Sequence, residues 1–486
     1  MLQIRYKHVL LLSISAVFVV AVFFLREDIS SVSRPIIEEV HDKISPPPEL
    51  PKKPKYKETS SVPYPPVKEN FPLAQAAHSA ADLPPIPSWN APPKPHVEEK
   101  TPLFIGFTRN WRVLQQVVVS YITAGWPAED IYVIENTGVM DSNKNGLLSL
   151  QNPFFLNHTR LNMLGVNVIQ TPTLFTFAQL QNFYLYTSIQ KKWDYYFWSH
   201  MDIIVASYED RDPPATPEQP APHHEEPHKF RSVYQNCLLA LRKTLALPKT
   251  EPWAMRFFSY DRLALVNVQT FIDVGGWDTL IPFYTTDCDM HFRLSDSGYS
   301  IEEVPVGMVY DVAASLDDLV VMYRQQPGSG PGPFKVPLQP TFKDPNVIEA
   351  ELQAIADSEA KAAHDGLNST LLETRQEDLI PRQDDWHEDT AIPSPSQSFL
   401  DLLHTYDAIT ASKHASSRGR NTWQARATGG KGEPFYRDSA GFETGIQMTI
   451  EHGRRVFGQK WGHRDCDLPQ QGLHVGDEWR VVQDWE

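Results

Sequence analysis

Cysteine is almost missing from this chain: Cys237, Cys288 and Cys466 are all that 486 residues carry. No Cys-x-x-Cys pair or Cys/His zinc spacing can be built from them, which excludes zinc fingers and ribbons. At most one disulfide can form, with its pairing open. Basic charge is short as well. Lys plus Arg number 44 against 60 Asp plus Glu, a formal net charge of −16. No basic run offsets this balance, so a nucleic-acid partner is excluded. The chain also lacks the Gly-x-Ser-x-Gly elbow, zinc-hydrolase spacings and any internal repeat, which removes the common hydrolases.

Long apolar runs are limited to one. Residues 9–25 are an uncharged stretch of 17, reaching roughly 26 Å as a helix, a span suited to thinner secretory membranes. Arg5 and Lys7 precede it and favour a cytoplasmic N-terminus. Arg26, Glu27 and Asp28 follow at once, without an Ala-x-Ala site, so a transmembrane anchor is favoured over a cleaved signal. Either way the body lies in the secretory lumen. The sequons at Asn157 and Asn368 fit that placement.

Proline is plentiful, with 41 residues clustered at 46–66, 84–95, 213–227 and 327–340, which mark linkers and loops. The organisation expected is a cytoplasmic tail at 1–8, a signal anchor at 9–25 and a disordered Pro-rich stem at 26–100. A globular body follows at 101–326, interrupted by an insertion at 209–229, and a partly disordered, irregular or helical extension covers 327–486. His223, His224, Glu225, Glu226 and His228 lie in the insertion without an apolar framework and read as a solvated loop rather than a metal site.

Within the body, strands at Leu103, Ile131 and Val166 alternate with helices over 111–124 and 177–193. That alternation predicts an α/β fold, a mostly parallel sheet with helices on both faces. Residues 195–205 read as one buried strand of aromatic and β-branched residues. Ser199, His200 and Asp202 interrupt it. A buried strand carries a carboxylate only where it opens into a site or onto a metal, and ligands bind beyond the carboxyl ends of such strands. Further on come a helix over 230–247, strands at Trp253 and Leu263, a short helix over 289–297, and helices near 346–364 and 397–413.

The series Gly275-Gly276-Trp277-Asp278, then Thr286-Asp287-Cys288-Asp289 with Arg293-Leu294, then Gly298-Tyr299, resembles the GT-A glycosyltransferases, the nucleotide-diphospho-sugar transferase superfamily in its family-2-like form. The resemblance covers roughly 101–312. It implies a GT-A-like sheet whose first strand end, Thr108, Arg109 and Asn110, and second strand end, Glu135 and Asn136, hold the donor nucleotide, with Arg109 neutralising phosphate. It places His200-Met201-Asp202 where members carry Asp-x-Asp. His200 and Asp202 would then bind a divalent metal, manganese being the best fit to an imidazole with a carboxylate. Asp287 takes the position of the general base facing the acceptor hydroxyl. Asp289 is the second catalytic candidate, or a helix cap. His452, His463 and Asp311 read as structural or solvated residues.

The resemblance thus implies a type II membrane glycosyltransferase of the Golgi or endoplasmic reticulum, moving a sugar from a nucleotide-sugar donor to a glycan or glycoconjugate acceptor. The rival is a catalytically inactive GT-A-like domain that binds carbohydrate or assembles a complex, supported by the missing first Asp of Asp-x-Asp.

Overall fold

The computed structural model describes residues 66–209, 231–324, 395–415 and 429–485, together with Lys55 and parts of 339–358. The expected anchor at 9–25 and most of the insertion at 209–229 lie outside the described residues, and the helix near 346–364 is described only in scattered positions. No helix of the described residues is long and apolar enough to cross a membrane.

The body is built on a seven-stranded sheet in the order β3-β2-β1-β4-β7-β6-β8. Its strands are β1 (Leu103–Phe107), β2 (Ile131–Glu135), β3 (Asn167–Gln170), β4 (Tyr195–Ser199), β6 (Trp253–Ser259), β7 (Leu263–Asn267) and β8 (Ser300–Glu303). β1 pairs parallel with both β2 and β4, and β2 pairs parallel with β3. β7 runs antiparallel between β4 and β6, and β8 is parallel to β6. The sheet is mixed and mostly parallel, consistent with a GT-A architecture. Its order reverses between β1 and β4, which makes the carboxyl ends of those two strands the topological switch point.

Helices cover both faces. α1 (Pro72–Ala76), α2 (Trp111–Thr123), α3 (His158–Met163), α4 (Phe177–Lys191), α5 (Val233–Leu245), α6 (Val268–Asp273) and α7 (Thr286–Asp296) follow one another through the body, and α8 (Pro395–Ala415) and α9 (Ser439–Trp461) belong to the extension. β1 alternates in the way a two-sided strand must. Leu103, Ile105 and Phe107 enter the core that holds α2 and α5, and Phe104 enters the opposite core with Tyr184, Tyr196 and Trp198. α2 is rich in valine, a modest helix former, and holds because its valines are buried. Gly106 interrupts β1 because a Cβ there would run into Tyr184 and Leu180 of α4.

Two expectations are corrected. Residues 195–205 are two strands, not one: β4 ends at Ser199, and β5 (Ile203–Ala206) leaves the main sheet to pair antiparallel with β9 (Met308–Asp311). The polar triplet is the break, since the Ser199 hydroxyl donates to the His200 carbonyl at 2.7 Å and turns the chain. The ordered body also begins earlier than residue 101. Phe71 and Asn70 are fully buried, the Asn70 amide donates to the Arg112 carbonyl at 3.1 Å, and Trp89 and Asn90 bond to Glu209. Apolar residues spaced among prolines cover the core here, and the one α-helix they form, α1, has five residues, too few for periodicity to reveal.

Candidate functional site

Both strand ends at the switch point carry polar groups. Beyond β1 lie Thr108, half-buried, and Arg109. Burial pushes the Arg109 guanidinium down to about 9, against the opposing pull of Asp202 and Glu443. Beyond β4 stand His200 and Asp202, with His200 Nδ1 3.6 Å from Asp202 Oδ1 and Nε2 4.0 Å from Asp261 Oδ2. Burial opposes charge on His200, yet Asp202 and Asp261 outweigh it and raise the imidazole above its ordinary value. Burial likewise opposes ionisation of Asp202, and His200 with Lys413 overcomes it, leaving the carboxyl far below its usual range.

The turn joining β6 to β7, Tyr260-Asp261-Arg262, ties this end of the sheet to α7. The Arg262 carbonyl accepts from the His200 N–H at 2.9 Å, Arg262 lies 3.7 Å from Asp311, and Asp261 approaches His200 as above. On the other side the Tyr260 hydroxyl donates to Asp287 Oδ2 at 3.4 Å. Burial, then Asp287 and Asp261, push the Tyr260 phenol up to about 12, so it stays a donor. His291, one turn on from Asp287 along α7, packs edge-on against Phe257 and Trp277. Burial drops it to about 4 despite Asp287, so it is neutral at pH 7. Asp287 itself is half-buried in the first turn of α7.

The motif series is one bonded unit. Arg293 donates to the Val274 carbonyl at 2.5 Å, to the Gly276 carbonyl at 2.8 Å and through Nε to Asp289 at 3.0 Å. Asn182 of α4 clamps Trp277 from both sides, accepting its N–H and donating to its carbonyl. Asp289 is fully buried and also receives the Trp461 indole N–H at 3.0 Å and Lys460 Nζ at 2.6 Å. Its carboxylate is used up by the fold, which separates it from Asp287.

Three further sequence candidates are likewise taken by internal bonds. Asn110, with φ 71°, caps α2 through its side chain. Glu135 is buried, with Asn143 donating to one carboxylate oxygen at 2.7 Å and His158 lying 2.8 Å from the other. Asn136 locks the 171–175 loop, accepting from the Phe175 N–H at 2.6 Å and donating to its carbonyl at 2.9 Å. Being at a strand end is not enough; a donor-binding group needs its polar atoms free toward the cleft.

The metal expected on His200 and Asp202 meets an occupant. Lys413 Nζ of α8 sits 2.9 Å from Asp202 Oδ2, 2.6 Å from Asp311 Oδ1 and 3.2 Å from the Val312 carbonyl. A divalent ion on that Asp202 oxygen would have to displace the ammonium. Among the described residues, three metal-type ligands converge only at His463, Asp465 and Asp467. Both His463 ring nitrogens there are already bonded, to Asp484 and Asp467. The side chains around His200 and Asp202 therefore do not fit a metal ion. Sequence reading missed Lys413, Tyr260 and Asp261; an isolated lysine in an irregular extension and a hairpin turn give no signal at the level of spacing.

One disulfide joins Cys288 of α7 to Cys466, across 178 residues, and Cys237 is a buried free thiol.

Fold and site together define an α/β protein with polar and charged side chains gathered at the switch point of a mixed sheet. The chain matches no protein-family model and no curated protein. Among solved structures it is similar to TarS of S. aureus, at 7% identity over 42% of this chain and 35% of that one, TM-score 0.28. It is also similar to GalNAc-T7 with UDP, GalNAc and Mn2+, at 15% identity over 44% of each chain, TM-score 0.27. A third is the mannosyltransferase PcManGT from Pyrobaculum calidifontis in complex with GDP-Man and Mn2+, at 12% identity over 76% of this chain and 89% of that one, TM-score 0.28. The chain thus spans about a third of the TarS chain. At such identities and scores no residue role passes from one chain to the other.

Proposed function

We propose that this protein is a glycosyltransferase that moves a sugar from a nucleotide-diphospho-sugar donor to a hydroxyl of a glycan or glycoconjugate in the secretory lumen. One observation carries the reading: the Tyr260-Asp261-Arg262 turn brings the charged ends of β1 and β4 and the carboxylate of Asp287 to one end of the sheet. Such an arrangement has what sugar transfer requires. Arg109 supplies fixed positive charge for the departing diphosphate. Asp287 takes the proton of the acceptor hydroxyl as its oxygen bonds to the anomeric carbon and the carbon–oxygen bond to the diphosphate breaks. Tyr260 steadies the Asp287 carboxylate by donating to it. Thr108 contributes a hydroxyl at the donor end.

A disulfide between Cys288 and Cys466 suits an oxidising compartment, which supports a luminal body. A membrane anchor at 9–25, in the Golgi or endoplasmic reticulum, remains part of the proposal.

Lys413 on Asp202 favours a second reading, an inactive GT-A-like domain that binds carbohydrate or assembles a complex. One screen separates the two: nucleotide-sugar turnover by the purified protein against a panel of UDP- and GDP-sugars, beside binding to a glycan array. Turnover that Asp287→Asn abolishes is expected. Glycan binding without turnover of any donor would reject the enzyme and leave the binding domain.

A further inference from the structure

Resting on the transferase reading, we propose that Lys413 is a built-in cation of the donor site, standing where a divalent metal would sit, so that this chain handles a nucleoside diphosphate without one. The seat is constructed rather than incidental. β5 and β9 pair with Ile203 opposite Asp311, and the Val312 N–H donates to the Asp202 carbonyl at 2.9 Å. That register sets the carboxylates of Asp202 and Asp311 side by side, the arrangement that would otherwise suit a dication.

Lys413 answers both. It reaches in from α8, 211 residues from Asp202 and 102 from Asp311 in sequence. An ammonium has three N–H groups, and Asp202, Asp311 and the Val312 carbonyl account for all three. α8 is held in place around it. The Ser412 hydroxyl donates to Asp344 at 2.7 Å, Asn346 donates to the Ser412 carbonyl at 2.8 Å, and Tyr406 packs on Tyr310 of β9. Ile409 is fully buried one turn before Lys413.

The local charge closes without a metal. The carboxylates of Asp202 and Asp311 hold Lys413, with Arg262 3.7 Å from Asp311 and Arg109 acting on Asp202 as well as on Glu443; Asp261 lies 4.0 Å from His200. Lys413, Arg262 and Arg109 thus stand against Asp202 and Asp311 before any metal is added. A dication added here would stand beside an ammonium and lose an Asp202 oxygen to it. Lys413 therefore neutralises the carboxylates that would repel a diphosphate, and leaves Arg109 to meet the phosphate oxygens.

The test is a titration of the full-length protein with Mn2+ alone, followed by electron paramagnetic resonance of the free ion. Asp467→Asn is present throughout to silence the His463 cluster. In that background the chain with Lys413 intact should bind no Mn2+ that Asp202→Asn removes. Lys413→Met should create one Mn2+ site, at least tenfold tighter than any in its parent, and adding Asp202→Asn should abolish it. An Asp202-dependent Mn2+ site with Lys413 present overturns the proposal, as does a folded Lys413→Met protein that gains no site. If Lys413→Met does not fold, the Lys413-intact arm decides by itself. No arm uses a sugar nucleotide, so a failed donor screen beside the expected titration rejects only the transferase. Transfer abolished by chelator with an Asp202-dependent Mn2+ site rejects only the built-in cation.

Discussion

Trp461 donates its indole N–H to Asp289 at 3.0 Å, binding the end of α9 to the first turns of α7 across 172 residues of sequence. Asp289 also accepts from Arg293 and lies 2.6 Å from Lys460 Nζ, so the C-terminal extension completes the motif helix instead of decorating it.

Asp289→Asn should therefore act on stability. Removing one partner of a buried charged network leaves Arg293 without a carboxylate and Lys460 with Asp278 alone, at a cost of about 3–5 kcal/mol. Denaturant unfolding followed by tryptophan fluorescence measures this. An Asp289→Asn protein that unfolds at the wild-type midpoint would show that the network contributes little.

Asp287→Asn should act on turnover. It preserves shape and removes basicity, so kcat should fall about 10²- to 10⁴-fold, while the donor KM stays within a few-fold and the melting temperature holds. Tyr260→Phe, which loses only the hydrogen bond to Asp287, should cost far less. Steady-state kinetics on the donor found by the screen decides; wild-type turnover in Asp287→Asn would remove it as the base.

Cys288 and Cys466 are joined across 178 residues. Closing so long a loop restricts the unfolded chain strongly, and Cys466→Ser should lower stability by about 2–5 kcal/mol. Thermal melting of the wild type with and without reductant should reproduce most of that loss. A melt indifferent to reductant and to the substitution would mean the bond is dispensable.

His463 gives a pH signature. Its bond to Asp484 is the largest cause; burial opposes it, Asp467 adds to it, and the net effect raises its pKa above the ordinary 6.5. The folded state binds this proton more tightly than the unfolded chain does. The contribution is thus complete below the unfolded value and disappears as pH rises through the raised folded value. Subtracting the stability of His463→Gln from that of the wild type should give a difference that shrinks from pH 6 upward. A difference that grows with pH would show the imidazole to be held neutral.

Topology is tested in sealed microsomes. Protease added outside should spare the body, and mass spectrometry should still recover the peptide that precedes residue 9. Digestion of the body would reverse the orientation, and loss of that peptide would mean a cleaved leader.

Much of the fold was legible in the sequence because it rests on local pattern. The strands at Leu103, Ile131 and Trp253 and the helices from Trp111 and Phe177 follow from apolar periodicity bounded by glycine, proline and caps. The motif series at 275–299 was legible for a related reason. Its spacing is what lets one guanidinium, Arg293, reach Val274, Gly276 and Asp289 together.

Side-chain direction and long-range partners were not legible. Glu135, Asn136 and Asn110 stand at the ends of strands as their positions require, yet each turns inward to a cap or a loop, because their neighbours in space outcompete solvent for their polar atoms. Sequence by itself determined the alternation of strands and helices, the low cysteine count that permits at most one crosslink, and the acidic balance, all of which depend on residue type and near spacing. Tertiary structure alone decided that Cys288 pairs with Cys466, that Asp287 faces Tyr260 while Asp289 is enclosed, and that Lys413 lies on Asp202. Those contacts join groups far apart along the chain, and such pairings are chosen by the packing of whole elements, which no local pattern encodes.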